Sequence, residues 1–209
     1  MRLRVSHRLD GKSYNLACNN GENALHGGPG GFHRRWWRVD ALLGADGAPA
    51  AEGATPAGVR LAYTSPDGEE GYPGELAASV TYLLTTHAGG PGGAPAPSLL
   101  TRFHAVSSAP TLVNLAQHAY WNLGGHDSGD VLGHELRMGA SRYTPVSKSL
   151  IPTGELADVA GTPFDFRAAK PIGADKAAVP GGRGYDHNYV LDGPNGASAN
   201  ALLCCIARC

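Results

Sequence analysis

The chain has 209 residues, enough to bury a substantial core as one large domain or two small ones. Its 17 basic and 18 acidic residues leave a net charge of −1, which gives no electrostatic reason to expect nucleic acid or anionic lipid as a partner. No apolar run approaches membrane-spanning length, and the basic segment 1–12 lacks the apolar stretch of a signal peptide. Glycine and proline number 30 and 15, a turn-rich composition that suits many short strands better than long helices. Cys18 stands alone, whereas Cys204, Cys205 and Cys209 crowd the last six positions in a spacing that matches no usual zinc pattern. Vicinal cysteines cannot bridge one another without strain, so the chain reads as a reduced, cytoplasmic protein without a disulfide framework.

In chain order, residues 4–9 and 12–17 are two short strand candidates separated by Asp10-Gly11, a pair that tolerates the positive φ of a type I′ hairpin. Residues 19–28 form a loop of turn formers ending in His26-Gly27-Gly28, where glycines would let a ligand approach the backbone closely. By composition alone this is a surface loop with an incidental histidine. Residues 36–43 and 60–64 have strand character, and Ser65-Pro66-Asp67-Gly68-Glu69-Glu70-Gly71-Tyr72-Pro73-Gly74 is a loop with several turns. Residues 75–86 place Leu76, Ala78, Val80, Tyr82 and Leu84 on one face, the pattern of a half-buried strand. Strand character resumes at 99–106, so the low-complexity connector 88–97 is a hairpin loop and not a domain boundary.

The stretch from Asn114 to Gly125 is expected to be the central strand. Period-2 alternation puts Asn114, Ala116, His118, Tyr120 and Asn122 on one face and Leu115, Gln117, Ala119, Trp121 and Leu123 on the other. A polar row with an imidazole at its centre suits a ligand-lined surface, and equally a histidine satisfied by hydrogen bonds in an ordinary sheet. Beyond it come a loop over 124–133 and a short strand over 134–139. Prolines in 141–155 and 161–167 suit loops and strand ends, and one helical turn is expected near 174–178. Residues 185–191 enter a strand with Asp186 and His187 at its mouth. The pattern as a whole predicts an antiparallel β-sandwich or a related large sheet.

Nine histidines raise the question of a metal. His118, His126 and His134 are spaced by eight, and His134-Glu135 lacks the second histidine of a helical zinc motif, so no metal site is assigned. There is no Gly-x-Ser-x-Gly elbow, and Gly89-Gly90-Pro91-Gly92-Gly93 has no following lysine to make a phosphate loop. What remains is a set of acid/base groups, His26, His118, Asp186 and His187, beside glycines, asparagines and aromatics. That set suits proton transfer on a neutral polyhydroxylated ligand.

Six segments together resemble the aldose 1-epimerases, or galactose mutarotases. They are Asn23 to Gly28, Ser65 to Leu76, Val113 to Leu123, Leu150-Ile151-Pro152-Thr153-Gly154-Glu155, Gly161 to Arg167, and Gly184-Tyr185-Asp186-His187-Asn188. The resemblance covers residues 3–192. It implies the family's large twisted antiparallel β-sandwich over residues 1–192, incomplete at the C-terminus, with residues 193–209 as a tail of another origin. It implies a monomer without a cofactor, acting on a small-molecule aldose by acid/base-catalysed ring opening. By the same resemblance His118 is the general acid, His26 and Asp186 bind the sugar, and Tyr120 touches it. His187 takes a structural role, because adjacent residues in a strand point apart.

The resemblance also has gaps. The family's general base is a glutamate beyond the last family-like residue here, and its substrate-binding arginine falls at or before Met1, so truncation at both ends is expected. Gln117 and Ala119 replace a typical Asn and Ser around the histidine, and His33 stands where an acid is usual. Residues 193–209 resemble nothing in the family and suggest a truncated gene model, a splice variant or a frameshift. Loss of C-terminal strands would leave sheet edges uncovered. Two functional classes follow: an aldose 1-epimerase for hexoses such as galactose or glucose, or a non-catalytic carbohydrate-binding fragment lacking the base.

Overall fold

The computed structural model describes residues 2–4, 6–87, 95–181, 184–193 and 204–206. Among these the chain forms fourteen strands, every ladder antiparallel, and its helix is confined to short 3-10 turns. No helix among the described residues is long and apolar enough to cross a membrane. The chain divides into two compact units, Met1–Gln117 and His118–Cys209.

In the first unit, β1 (Arg2–Arg4) pairs with β4 (Asn23–Leu25), and β2 (Ser6–Leu9) pairs with β3 (Lys12–Asn15). Asp10 and Gly11 take φ of 48° and 80°, the two left-handed positions that the Asp-Gly turn predicts. The main sheet is a meander of β5 (Arg38–Leu43), β6 (Gly58–Ser65), β7 (Leu76–His87) and β8 (Ala96–Ser107), hydrogen-bonded in that order. β7 and β8 stay in register from Leu76 opposite Ser107 to His87 opposite Ala96, which is the expected hairpin. Residues 88–94 of the predicted connector lie outside the described residues.

The apolar face predicted for β7 holds for half of the strand. Leu76, Ala78 and Val80 are buried, but Leu84 is 63% exposed and burial passes to Leu83. The cause lies opposite. Gly58 on β6 carries no side chain, and a Cβ there would come to 2.9 Å from a Leu83 methyl, while Gly47, in the turn after β5, lies in contact range of the other methyl. Alternation marks the two faces of a strand, but the neighbours decide which face is covered.

In the second unit, β10 (Ala140–Tyr143) lies between β11 (Ala157–Asp158) and β13 (Tyr189–Leu191). β9 (Glu135–Arg137) lies between β12 (Lys170–Pro171) and β14 (Cys204–Ile206). The core is Val159, Phe164 and Val179, with Tyr143, Tyr185 and Tyr189 packed against it. Phe164 and Phe166, two residues apart, are both buried, and Asp165 between them binds Arg167 at 2.7 and 2.9 Å. The expected helical turn appears as a 3-10 turn at Lys176–Ala178, and β13 starts at Tyr189, which leaves Asp186 and His187 in the coil before it.

The expected central strand is corrected. Residues 108–134 carry no ladder among the described residues, and 116–121 are exposed. Alternation sets which way side chains point, whereas a strand also needs a partner for its backbone N–H and C=O groups. No described strand pairs with this segment.

Truncating Phe164 to Ala removes the ring at the centre of the second unit and is expected to cost about 3–5 kcal/mol. Leu84→Ser, on the exposed end of β7, is expected to stay within about 0.5 kcal/mol of the parent. Urea unfolding of both variants at one pH checks the contrast.

Candidate functional site

The loop bearing His26 is built by the residues before it. Asn19 clamps the end of β4, accepting the Leu25 N–H at 2.7 Å and donating to the Leu25 carbonyl at 2.8 Å. The chain then takes three consecutive left-handed residues, His26 (φ 53°), Gly27 (79°) and Gly28 (94°). Left-handed backbone costs a residue with a Cβ roughly 1–2 kcal/mol, although histidine tolerates it better than most. The His26 imidazole is exposed and meets the His33 ring edge-on at 6.4 Å, His33 being carried by a 3-10 turn at Phe32–Arg34.

The 65–74 loop supports this segment. Glu69 accepts hydrogen bonds from the Tyr63 and Ser65 hydroxyls at 2.7 and 2.6 Å and pairs with Arg35 at 2.8 Å. Burial, and then the Glu69 carboxylate, push the Tyr63 phenol above its ordinary range. Glu70 accepts the Gly30 N–H at 2.9 Å. Asp67 accepts the Gly74 N–H at 2.5 Å and closes the loop on itself. Sequence reasoning marked this stretch as a loop and missed the task of its two glutamates. Adjacent acids in an otherwise turn-forming run were the available signal.

In the second unit, the rings of His118 and Tyr120 lie 4.9 Å apart at 34°, as two residues apart on extended backbone should. Both are exposed, Tyr120 to 89%. Asn122 is absorbed by structure: it accepts the Gly124 N–H at 3.0 Å and donates to the Gly129 carbonyl at 3.1 Å. His134, 9% exposed, accepts the Leu123 N–H on Nε2 at 3.1 Å and so pins the end of the segment. This acceptance requires the neutral ring to carry its proton on Nδ1.

Asp186 is exposed, and its neighbour His187 points inward. The His187 ring packs against Phe164 at 4.5 Å and Tyr143 at 5.8 Å, the structural place that the sequence suggests. Burial pulls its pKa below the ordinary histidine value, and the charge of Asp186 works against that shift. Arg167 holds the Asp165 carboxyl at about 2 through their hydrogen bonds. Of the four residues assigned to the sugar, the structure therefore brings His118 and Tyr120 together. Asp186 sits on a separate segment of the same unit, and His26 belongs to the first unit.

The family model described as aldose 1-epimerase matches residues 2–203. The chain belongs to the aldose 1-epimerase family. Galactose mutarotase of Sus scrofa is 42% identical over 184 residues, covering 88% of this chain and 46% of that protein. Aldose 1-epimerase of Escherichia coli K12 is 36% identical over 188 residues, 88% of this chain and 48% of the relative. The chain thus spans about half the length of these relatives. Among solved structures, the GalM/aldose epimerase homologue from C. elegans superposes with a TM-score of 0.71 at 29% identity, covering 92% of this chain and 52% of that one. Galactose 1-epimerase from Lactobacillus acidophilus NCFM gives a TM-score of 0.69 at 28% identity, covering 94% and 54%. The all-β antiparallel fold is that of the aldose epimerases.

The depressed pKa of His187 has a consequence for this family member's stability. The unfolded chain binds the proton more readily, so the contribution of His187 is complete above the ordinary value of 6.5. It is lost as pH falls from there through the lower folded-state value. His187→Phe is expected to flatten stability between pH 7.5 and 5, and urea midpoints across that range check it.

Proposed function

We propose that the chain acts as an aldose 1-epimerase on hexoses such as galactose and glucose, with His118 as the general acid. In this reading His118 gives its proton to the ring oxygen as the C1–O5 bond breaks, and solvent water, in place of the family's glutamate, takes the proton of the anomeric hydroxyl. The resulting aldehyde turns about C1–C2, and the ring recloses on the other face as both protons return. A histidine suits this task because its ordinary pKa lets it release and regain a proton near neutrality. Tyr120, beside His118, offers an apolar ring face and a hydroxyl to a sugar, while His26 and Asp186 supply hydrogen bonds to its hydroxyls. The substrate is a neutral small molecule, which the near-zero net charge suits.

The observation that carries the reading is the exposed His118–Tyr120 pair in a chain matched by the family model over residues 2–203. The names of the relatives, galactose mutarotase and aldose 1-epimerase, support the sugar and the reaction. The exposed free thiol of Cys18 suits a reducing compartment, and we place the protein in the cytoplasm as a monomer.

Polarimetry with freshly dissolved α-D-galactose tests this. The purified chain is expected to speed the approach to anomeric equilibrium, and His118→Ala to lower that rate by about 10²- to 10⁴-fold. Circular dichroism confirms that both proteins are folded. A folded chain that binds galactose but leaves the buffer rate unchanged is a carbohydrate-binding protein and overturns the enzymatic reading.

A further inference from the structure

The 65–74 loop is one of the family-like stretches, yet the reaction above gives it no task. Glu70 joins it to the loop that bears His26. Glu70 is left-handed (φ 52°), as is His26 (φ 53°), and the two loops are joined where the Glu70 carboxylate accepts the Gly30 N–H at 2.9 Å. The Glu70 side chain is only 17% exposed, and Arg35 stands 3.8 Å from it while paired more closely with Glu69. A Cβ at Gly28 would overlap the Glu70 carboxylate, and a Cβ at Gly30 would come to 2.5 Å from it. Gly28 and Gly30 therefore admit Glu70, and not only a ligand. Costly backbone at a non-glycine residue persists only where its surroundings hold it, and such residues gather at binding sites.

We propose that Glu70 is a positioning residue for His26: its carboxylate locks the 26–31 loop and so holds the imidazole in the orientation that receives the sugar. This rests on the reading that His26 binds the sugar. Glu70 itself touches no substrate. Its removal should weaken binding in the ground state and transition state alike, raising KM and sparing kcat.

The test compares full-length Glu70→Ala and Glu70→Gln with the parent by NMR without sugar, then by galactose titration and polarimetry. Glutamine keeps an acceptor for the Gly30 N–H, and alanine does not. The two substitutions share the same backbone position, so their difference isolates the side chain. Alanine is expected to move the Gly30 amide and His26 ring signals and to raise KM about tenfold, the loss of one hydrogen bond to a charged group, with kcat within about twofold. Glutamine should return most of the KM. If Glu70→Ala does not fold, Glu70→Asp, which tolerates the left-handed backbone but withdraws the carboxylate from the Gly30 N–H, should give the same signature.

Unchanged Gly30 and His26 signals in the variants, or equal defects for alanine and glutamine, overturn the inference. If the parent itself neither binds nor turns over galactose, the sugar reading fails. The sugar-free spectra then decide the positioning of His26 on their own: shifted in alanine and restored in glutamine supports it, and no shift removes it.

Discussion

Two adjacent carboxylates, Glu69 and Glu70, hold the first unit's loops to its sheet. Charges withdrawn from water are costly unless paired and hydrogen-bonded, and here each acid has its own hydrogen-bond donors. Glu69, 10% exposed, takes two hydroxyls from β6 and a guanidinium from Arg35. Glu70 takes a backbone N–H from the loop after β4. One dipeptide thus ties strand β6 to a loop 40 residues earlier. Gly28 and Gly30 follow from this arrangement, because a Cβ at either would run into the Glu70 carboxylate. Gly71 answers to a different neighbour, since a Cβ there would overlap the carbonyl of Asn15 at the end of β3.

The second unit is ordered by aromatic packing instead. Phe164 stacks on Tyr143 at 4.2 Å, and Tyr185 and Tyr189 meet it edge-on at 6.0 and 6.5 Å, arrangements that suit the charge distribution of the rings. Lys170 lies over Phe166 at 4.5 Å while bonded to the Pro163 carbonyl and to Asp175, so its charge is satisfied at the edge of the core. The histidine at position 187 shares this packing. Asp186, the next residue back, is left at the surface. A single residue step thus separates a core position from a polar group open to solvent.

Much of this was legible in the sequence where the decisive force was local. The Asp10-Gly11 hairpin, the β7–β8 pairing and the inward turn of His187 each follow from the backbone preference or alternation of a few adjacent residues. The side-by-side rings of His118 and Tyr120 follow from the same alternation, even though the segment carrying them is not a strand. What escaped depended on distant partners. Residues 114–123 have strand character but no described neighbour to pair with. Leu83 is buried because of Gly47 and Gly58, which lie 36 and 25 positions earlier. His134 was weighed as a metal ligand, whereas its Nε2 serves the Leu123 N–H. Glu70 carries no periodic signal at all, because its value comes from where the Gly30 amide happens to lie.

The meander has one more consequence. Each of β5, β6, β7 and β8 pairs with the strand next to it in sequence, so the closures it needs are short and their entropy cost grows only slowly with loop length. The second unit is different: Ser141 binds Asp192 at 2.7 Å across 51 residues, and β10 finds its partner β13 over a similar span. Sequence-local pairing assembles faster than distant pairing at equal stability. The four-stranded sheet can therefore form while later residues are still leaving the ribosome, whereas the aromatic core waits for the last of its tyrosines.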